Sequence, residues 1–165
     1  MSQTTMQQVI ITEPGGVDKL AYETVTIPEA KADEVLVKVH AFGINRPDIL
    51  QRQGLYPMPP GVTQVPGLEV AGEVVAVGAE VTQFKLGDKV CGLTNGGGYA
   101  EYCVVPQSQT LHIPENVSFV EAAAIPETFF TDPAEAGARA YQLLVLGVCG
   151  DFGRHIVFHI SLLLR

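Results

Sequence analysis

The chain contains no tryptophan, and its three cysteines (Cys91, Cys103 and Cys149) are odd in number and scattered, with no CxxC pair. That pattern gives neither a disulfide framework nor a four-cysteine metal lobe, and it fits a reducing, cytoplasmic setting. A surplus of positive charge is also missing. Ten Lys+Arg stand against 18 Asp+Glu, for a net charge of −8. Nucleic acid and anionic membrane surfaces repel such a chain and are not expected as partners. No run of about 18 uninterrupted apolar residues occurs, so no membrane-spanning helix is expected. The opening MSQTTMQQVI lacks the basic start and apolar core of a secretory signal.

Glycine and proline, by contrast, are abundant: 17 and 11 in 165 residues, with 47% hydrophobic residues to supply a core. This is the composition of one turn-rich β domain. Strands are expected at 7–12, 20–27, 34–41, 68–77, 89–92 and 99–106, from apolar alternation and the turn signals that bound each run. Residues 34–41 alternate most cleanly, with Val35, Val37 and Val39 on one face and Leu36, Lys38 and His40 on the other. Glu13-Pro14-Gly15-Gly16 reads as a turn, and Asn95–Gly98 as a hairpin-like connection. Gly72 reads as a bend inside 68–77, either in one bent strand or between a strand pair. Ser118, with Glu121 three residues on, forms a capping box opening a short helix. About seven short strands and few helices imply a mainly β barrel or sandwich.

The functional residues concentrate in 42–78. Asn45-Arg46-Pro47-Asp48 is a compact polar turn, and proline there suits the first turn of a short helix that Gly54 closes. A proline-rich loop carrying Tyr56 follows, then the apolar segment containing Glu69. Asn45 reads equally as a helix cap or a pocket residue, and Tyr56 as a packing or a functional aromatic. Asp48 and Glu69 read as braces for their turns, and the cysteines as inert core thiols. His155 and His159 are four apart but lack a third metal ligand.

Several stretches together, EVLVKVHAFGINRPDILQRQGLYP, GLEVAGEVVAVG, FKLGDKV, GGGYAEYCVVP and FVEAAAIPETFFT, carry a resemblance. The chain resembles the N-terminal catalytic domain of medium-chain dehydrogenases/reductases. More narrowly it is similar to the zeta-crystallin-like NADPH:quinone oxidoreductase branch. The resemblance implies a GroES-like, partly open β-barrel with short helices over residues 6–131. It also implies NADPH as cofactor and hydride transfer to a small-molecule quinone or enone. Zinc-dependent members of the superfamily carry a cysteine ligand where Asn45 stands and a histidine ligand where Leu68 stands. Neither residue replaces a thiolate or imidazole, so no zinc is expected. By the same resemblance Asn45 and Tyr56 are the catalytic residues. They line the nicotinamide pocket and donate hydrogen bonds to the acceptor oxygen, and Thr131 joins them in binding cofactor.

After Thr131 the resemblance stops. Residues 132–165 are expected to form a short truncated or atypical α/β tail in place of a Rossmann domain. Gly147, Gly150 and Gly153 are spaced for a nucleotide-binding turn, yet only 12 residues follow Gly153. A dinucleotide site needs a βαβ unit of about 30 residues. A frameshift or splice origin for the tail is the expectation, with its leucine-rich end prone to association. The expected partners therefore include a homo-oligomer or a full-length relative. The alternative to an oxidoreductase is a non-catalytic GroES-like module associating with such a relative.

Overall fold

The computed structural model describes residues 4–127. Thr131, the 132–165 tail and its histidines and Cys149 lie outside the described residues. Strand β1 (Thr5–Ile11) pairs antiparallel with β2 (Leu20–Thr26), from Thr5 opposite Thr26 to Ile11 opposite Leu20. The Pro-Gly-Gly turn between them leads into a single 3-10 turn at Val17–Lys19. The remaining strands are β3 (Glu34–Phe42), β4 (Glu69–Val77), β5 (Lys89–Leu93), β6 (Tyr102–Pro106) and β7 (Thr110–His112). They form one antiparallel sheet in the order β6-β3-β4-β5-β7. The sheet curls into a half-barrel, so the mainly β expectation holds. Helix α1 (Arg46–Arg52) follows β3, and α2 (Phe119–Ala122) follows β7.

Valines alternating along β3 and β4 build the concave core. Val35, Val37, Val39, Val70, Val74 and Val90 are all buried, with Phe42 stacked on Tyr99 at 4.5 Å between ring centroids. Each such valine contributes roughly 1.5–3 kcal/mol relative to exposure. A bulge in β3 between Val39 and Ala41 then shifts the side-chain parity. Ala41, with Ala71 and Cys91, lies in a second cluster closed by Ala122 and Ala123 at the end of α2. Ser118 accepts the Glu121 N–H, and the Glu121 carboxylate accepts the Ser118 N–H at 2.9 Å. The capping box expected from sequence thus seats the helix that covers this face.

Two readings need correction. Asn95–Gly98 is no hairpin, because β5 pairs with β4 and β7 while β6 pairs with β3. The loop is instead a crossover: Gly96 and Gly97 take φ of 82° and 86°, and Gly97 N–H donates to the Val65 carbonyl at 2.8 Å. The strand expected over 99–106 splits at Glu101. Its first residues join β1, with Val9 N–H donating to the Tyr99 carbonyl and Glu101 N–H to the Gln7 carbonyl. This splice ties the N-terminal hairpin to the main sheet. The three-residue strand β7 carries too short a pattern to be read from sequence, and the stretch expected at 68–77 holds one strand, β4 from Glu69 to Val77, rather than a pair.

Candidate active-site pocket

At the end of β3 the chain passes Gly43 and enters α1 with Asn45 at the N-cap, Pro47 in the first turn and Asp48 at the third helical position. Asn45 donates its backbone N–H to Asp48 Oδ2 at 2.8 Å, satisfying a donor that the helix leaves free. Asp48 is buried and accepts two more hydrogen bonds. Gly67 N–H reaches Oδ1 at 3.1 Å, and the Tyr99 hydroxyl reaches Oδ2 at 3.0 Å. One carboxylate therefore joins α1, the loop leading into β4 and the segment before β6. The reading of Asp48 as a brace holds.

Glu69, at the head of β4, is 0% exposed. Its Oε1 accepts from Asn45 Nδ2 at 2.8 Å, and its Oε2 accepts from Glu127 N–H at 2.9 Å. The fold makes room for it, because a Cβ at Gly43 would run into the Glu69 carboxyl. Burial pushes the Glu69 pKa up to about 7, with the Asn45 and Glu127 hydrogen bonds opposing the shift. Asp48 is raised to about 6 by burial, against its three hydrogen bonds. Burial lifts the Tyr99 hydroxyl well above the usual phenol range, reinforced by the adjacent Asp48.

Of the residues expected in the pocket, Asn45 is 5% exposed and fixed by this network, while Tyr56 is 43% exposed on the loop after α1. The structure does not bring the two into hydrogen-bond contact. Thr131 lies outside the described residues. Asn45 thus serves as helix cap and as part of the polar cluster at once. Sequence reading underrated Glu69 and passed over Tyr99. The available signal was a carboxylate in Leu68–Val77, a run whose only charged residues are Glu69 and Glu73. Tyr99 offered none, because its partner Asp48 lies 51 residues away.

Arg52 is buried beside this cluster, with Nε and one terminal nitrogen lacking a hydrogen-bond partner. It lines a cavity of about 20 Å³ together with Asp48, Ile44, Pro66 and Tyr99. A larger recess of about 230 Å³ lies between the N-terminal hairpin and β6, lined by Met6, Val25, Thr63, Gly97 and Cys103, and holds none of the expected site residues. Among the described residues no group of three His, Cys, Asp or Glu side chains is placed to hold a metal ion. The zinc of the wider superfamily does not fit the side chains at its expected ligand positions. Asn45 is a neutral amide turned with its nitrogen toward Glu69, and Leu68 is a hydrocarbon.

The alcohol dehydrogenase GroES-like domain family matches residues 31–115, and the chain belongs to it, within the medium-chain dehydrogenase/reductase superfamily. A zebrafish (Danio rerio) synaptic vesicle membrane protein VAT-1 homolog is 41% identical over 150 residues, which is 90% of this chain and 28% of that protein. Human quinone oxidoreductase is 35% identical over 159 residues, covering 95% of this chain and 46% of the enzyme. A mycobacterial relative solved with NADPH superposes with a TM-score of 0.67 at 35% identity, covering 74% of this chain and 38% of that one. The chain thus spans less than half the length of these relatives. No helix among the described residues is long and apolar enough to cross a membrane.

Proposed function

We propose that this chain is the substrate-side domain of a zinc-independent oxidoreductase that uses NADPH to reduce a quinone or enone. The observation that carries this reading is Asn45. A buried, pre-oriented amide stands at the mouth of α1, where zinc-dependent relatives carry a metal-binding thiolate. NADPH, when bound, supplies the hydride. The chain's own residues position the acceptor and stabilise the charge that develops on its oxygen, Asn45 from the buried side and Tyr56 from the exposed loop. Thr131 completes the nicotinamide contacts in this reading. Similarity to quinone oxidoreductases and to an NADPH-bound relative supports it. The free, buried thiols Cys91 and Cys103 accord with a reducing, cytoplasmic location.

Titration of the purified chain against NADPH by nucleotide fluorescence, followed by NADPH-dependent reduction of a simple benzoquinone, tests the proposal. Saturable binding with turnover supports it. Binding and turnover that appear only when a full-length quinone oxidoreductase is added, with co-purification of the two, would favour the non-catalytic module instead.

A further inference from the structure

The Asn45 amide is constrained on two sides. Its nitrogen donates to Glu69 Oε1 at 2.8 Å, and its oxygen lies on the Asp48 side of the capping box, where the Asp48 N–H itself donates to the Asn45 backbone carbonyl at 3.1 Å. A carboxylate can only accept, so Glu69 dictates that the nitrogen and not the oxygen faces it. One Nδ2 hydrogen is consumed there, and a primary amide carries a second. Glu69 cannot swing away. Its other oxygen is held by Glu127 N–H at 2.9 Å, and its carboxyl occupies the space kept free by the missing side chain of Gly43. We infer that Glu69 is a positioning residue that locks the Asn45 amide so that its second N–H is the group offered to the acceptor oxygen. This inference rests on the proposed function for the identity of the acceptor, but not for the lock itself.

The lock has a chemical state. Ionised Glu69 accepts strongly from Nδ2, whereas a proton on Oε1 would compete for the same space and loosen the amide. The ionisable groups around Glu69 are Asp48 of α1, Glu127 after α2, Cys91 of β5 and Tyr99 before β6. Of these, Glu69 itself titrates near neutrality, raised to about 7 by burial, and Asp48 sits lower, at about 6.

The test is NMR of the 15N-labelled chain without nucleotide or acceptor, so that failure of the proposed function leaves it unaffected. The Asn45 side-chain amide is assigned by its loss in Asn45→Asp. One of its two protons should lie downfield and move back as pH falls, with the midpoint shared by the 13C carboxyl signal of Glu69. In Glu69→Gln that titration should vanish. If this variant does not fold, the shared midpoint in the unaltered chain decides the matter. Amide protons that ignore pH between 5 and 8, or that follow the carboxyl signal of Asp48 instead, would overturn the assignment. An independent activity readout follows where turnover is observed: Glu69→Gln should flatten the pH profile of kcat while leaving the KM for NADPH unchanged.

Discussion

Tyr99 donates its hydroxyl to Asp48 Oδ2 at 3.0 Å, bridging 51 residues of sequence through a wholly buried bond. The phenol and the carboxylate satisfy each other where water is excluded, and the same carboxylate holds the N-cap of α1. Removing the hydroxyl leaves Asp48 one donor short in a buried site. Tyr99→Phe should therefore cost about 2 kcal/mol of stability, the usual scale for a buried hydrogen bond to a charged group. It should also push the Asp48 pKa further up, because the lost bond favoured the ionised form. Urea unfolding of the two chains at pH 7.5 measures the first effect, and a loss under 0.5 kcal/mol would mean that the bond is not formed in solution.

Acid sensitivity should run opposite to the common pattern. Folding raises Glu69 from 4.5 to about 7 and Asp48 from 3.8 to about 6, both chiefly through burial. The folded state thus binds more protons than the unfolded state between those values, so stability falls as pH rises through this window. Below about pH 4 the full contribution of the two groups is present; above about pH 7 it is gone. For Glu69 the change is roughly 3 kcal/mol at most. Glu69→Gln should flatten the decline measured by urea midpoints from pH 4.5 to 8. A slope equal to that of the unaltered chain would assign the effect to other groups.

Much of the framework was legible because strand alternation is local. The sequence of β3 carries its core face in Val35, Val37 and Val39, and all three are buried. Ser118 and Glu121 mark the start of α2 within four residues. The parts that escaped depend on distant partners. Nothing near Asn95–Gly98 tells that its glycines serve a crossover against Val65 and Gly67 rather than a hairpin. The role of Glu69 as the link between Asn45 and Glu127 needs three segments brought together, and Tyr99 is recognisable only once Asp48 is seen beside it. The bend expected at Gly72 was legible in residue type but not in cause.

That cause gives a sharper expectation. A Cβ at Gly72 would strike the Lys38 carbonyl of β3 and approach Val37 Cγ1 to 2.8 Å, beside the β3 bulge. Backbone cannot yield there without disturbing the ladder on both sides of β4. Gly72→Ala should destabilise the chain by about 1–3 kcal/mol, as overpacking does, despite alanine's lower conformational entropy cost. A thermal midpoint at or above that of the unaltered chain would show that the strands can part at no cost.

Burial raises both Cys91 and Cys103 to about 11, so neither carries appreciable thiolate near neutral pH. In the native chain both should react with a disulfide reagent at pH 8 at least a hundredfold more slowly than after unfolding in urea. Mass mapping separates them from Cys149. Rapid native labelling of Cys103 would indicate that the recess it lines opens to solvent.

Asn45 and Tyr56 separate structure from chemistry. Asn45 is buried, donates to the enclosed Glu69 and stands at a helix cap. Asn45→Ala therefore leaves a buried carboxylate short of a partner and should cost about 2 kcal/mol, so any accompanying loss of acceptor reduction mixes stability with function. Tyr56 is 43% exposed, and substitution at such a surface position is ordinarily neutral within about 0.5 kcal/mol. Tyr56→Phe keeps the ring and removes only the hydroxyl. If that hydroxyl contacts the acceptor oxygen in the transition state, kcat for quinone reduction should fall about tenfold or more with the unfolding midpoint unchanged. An unaltered kcat would remove Tyr56 from the chemistry and leave Asn45, held by Glu69, as the polar group of this domain that faces the acceptor.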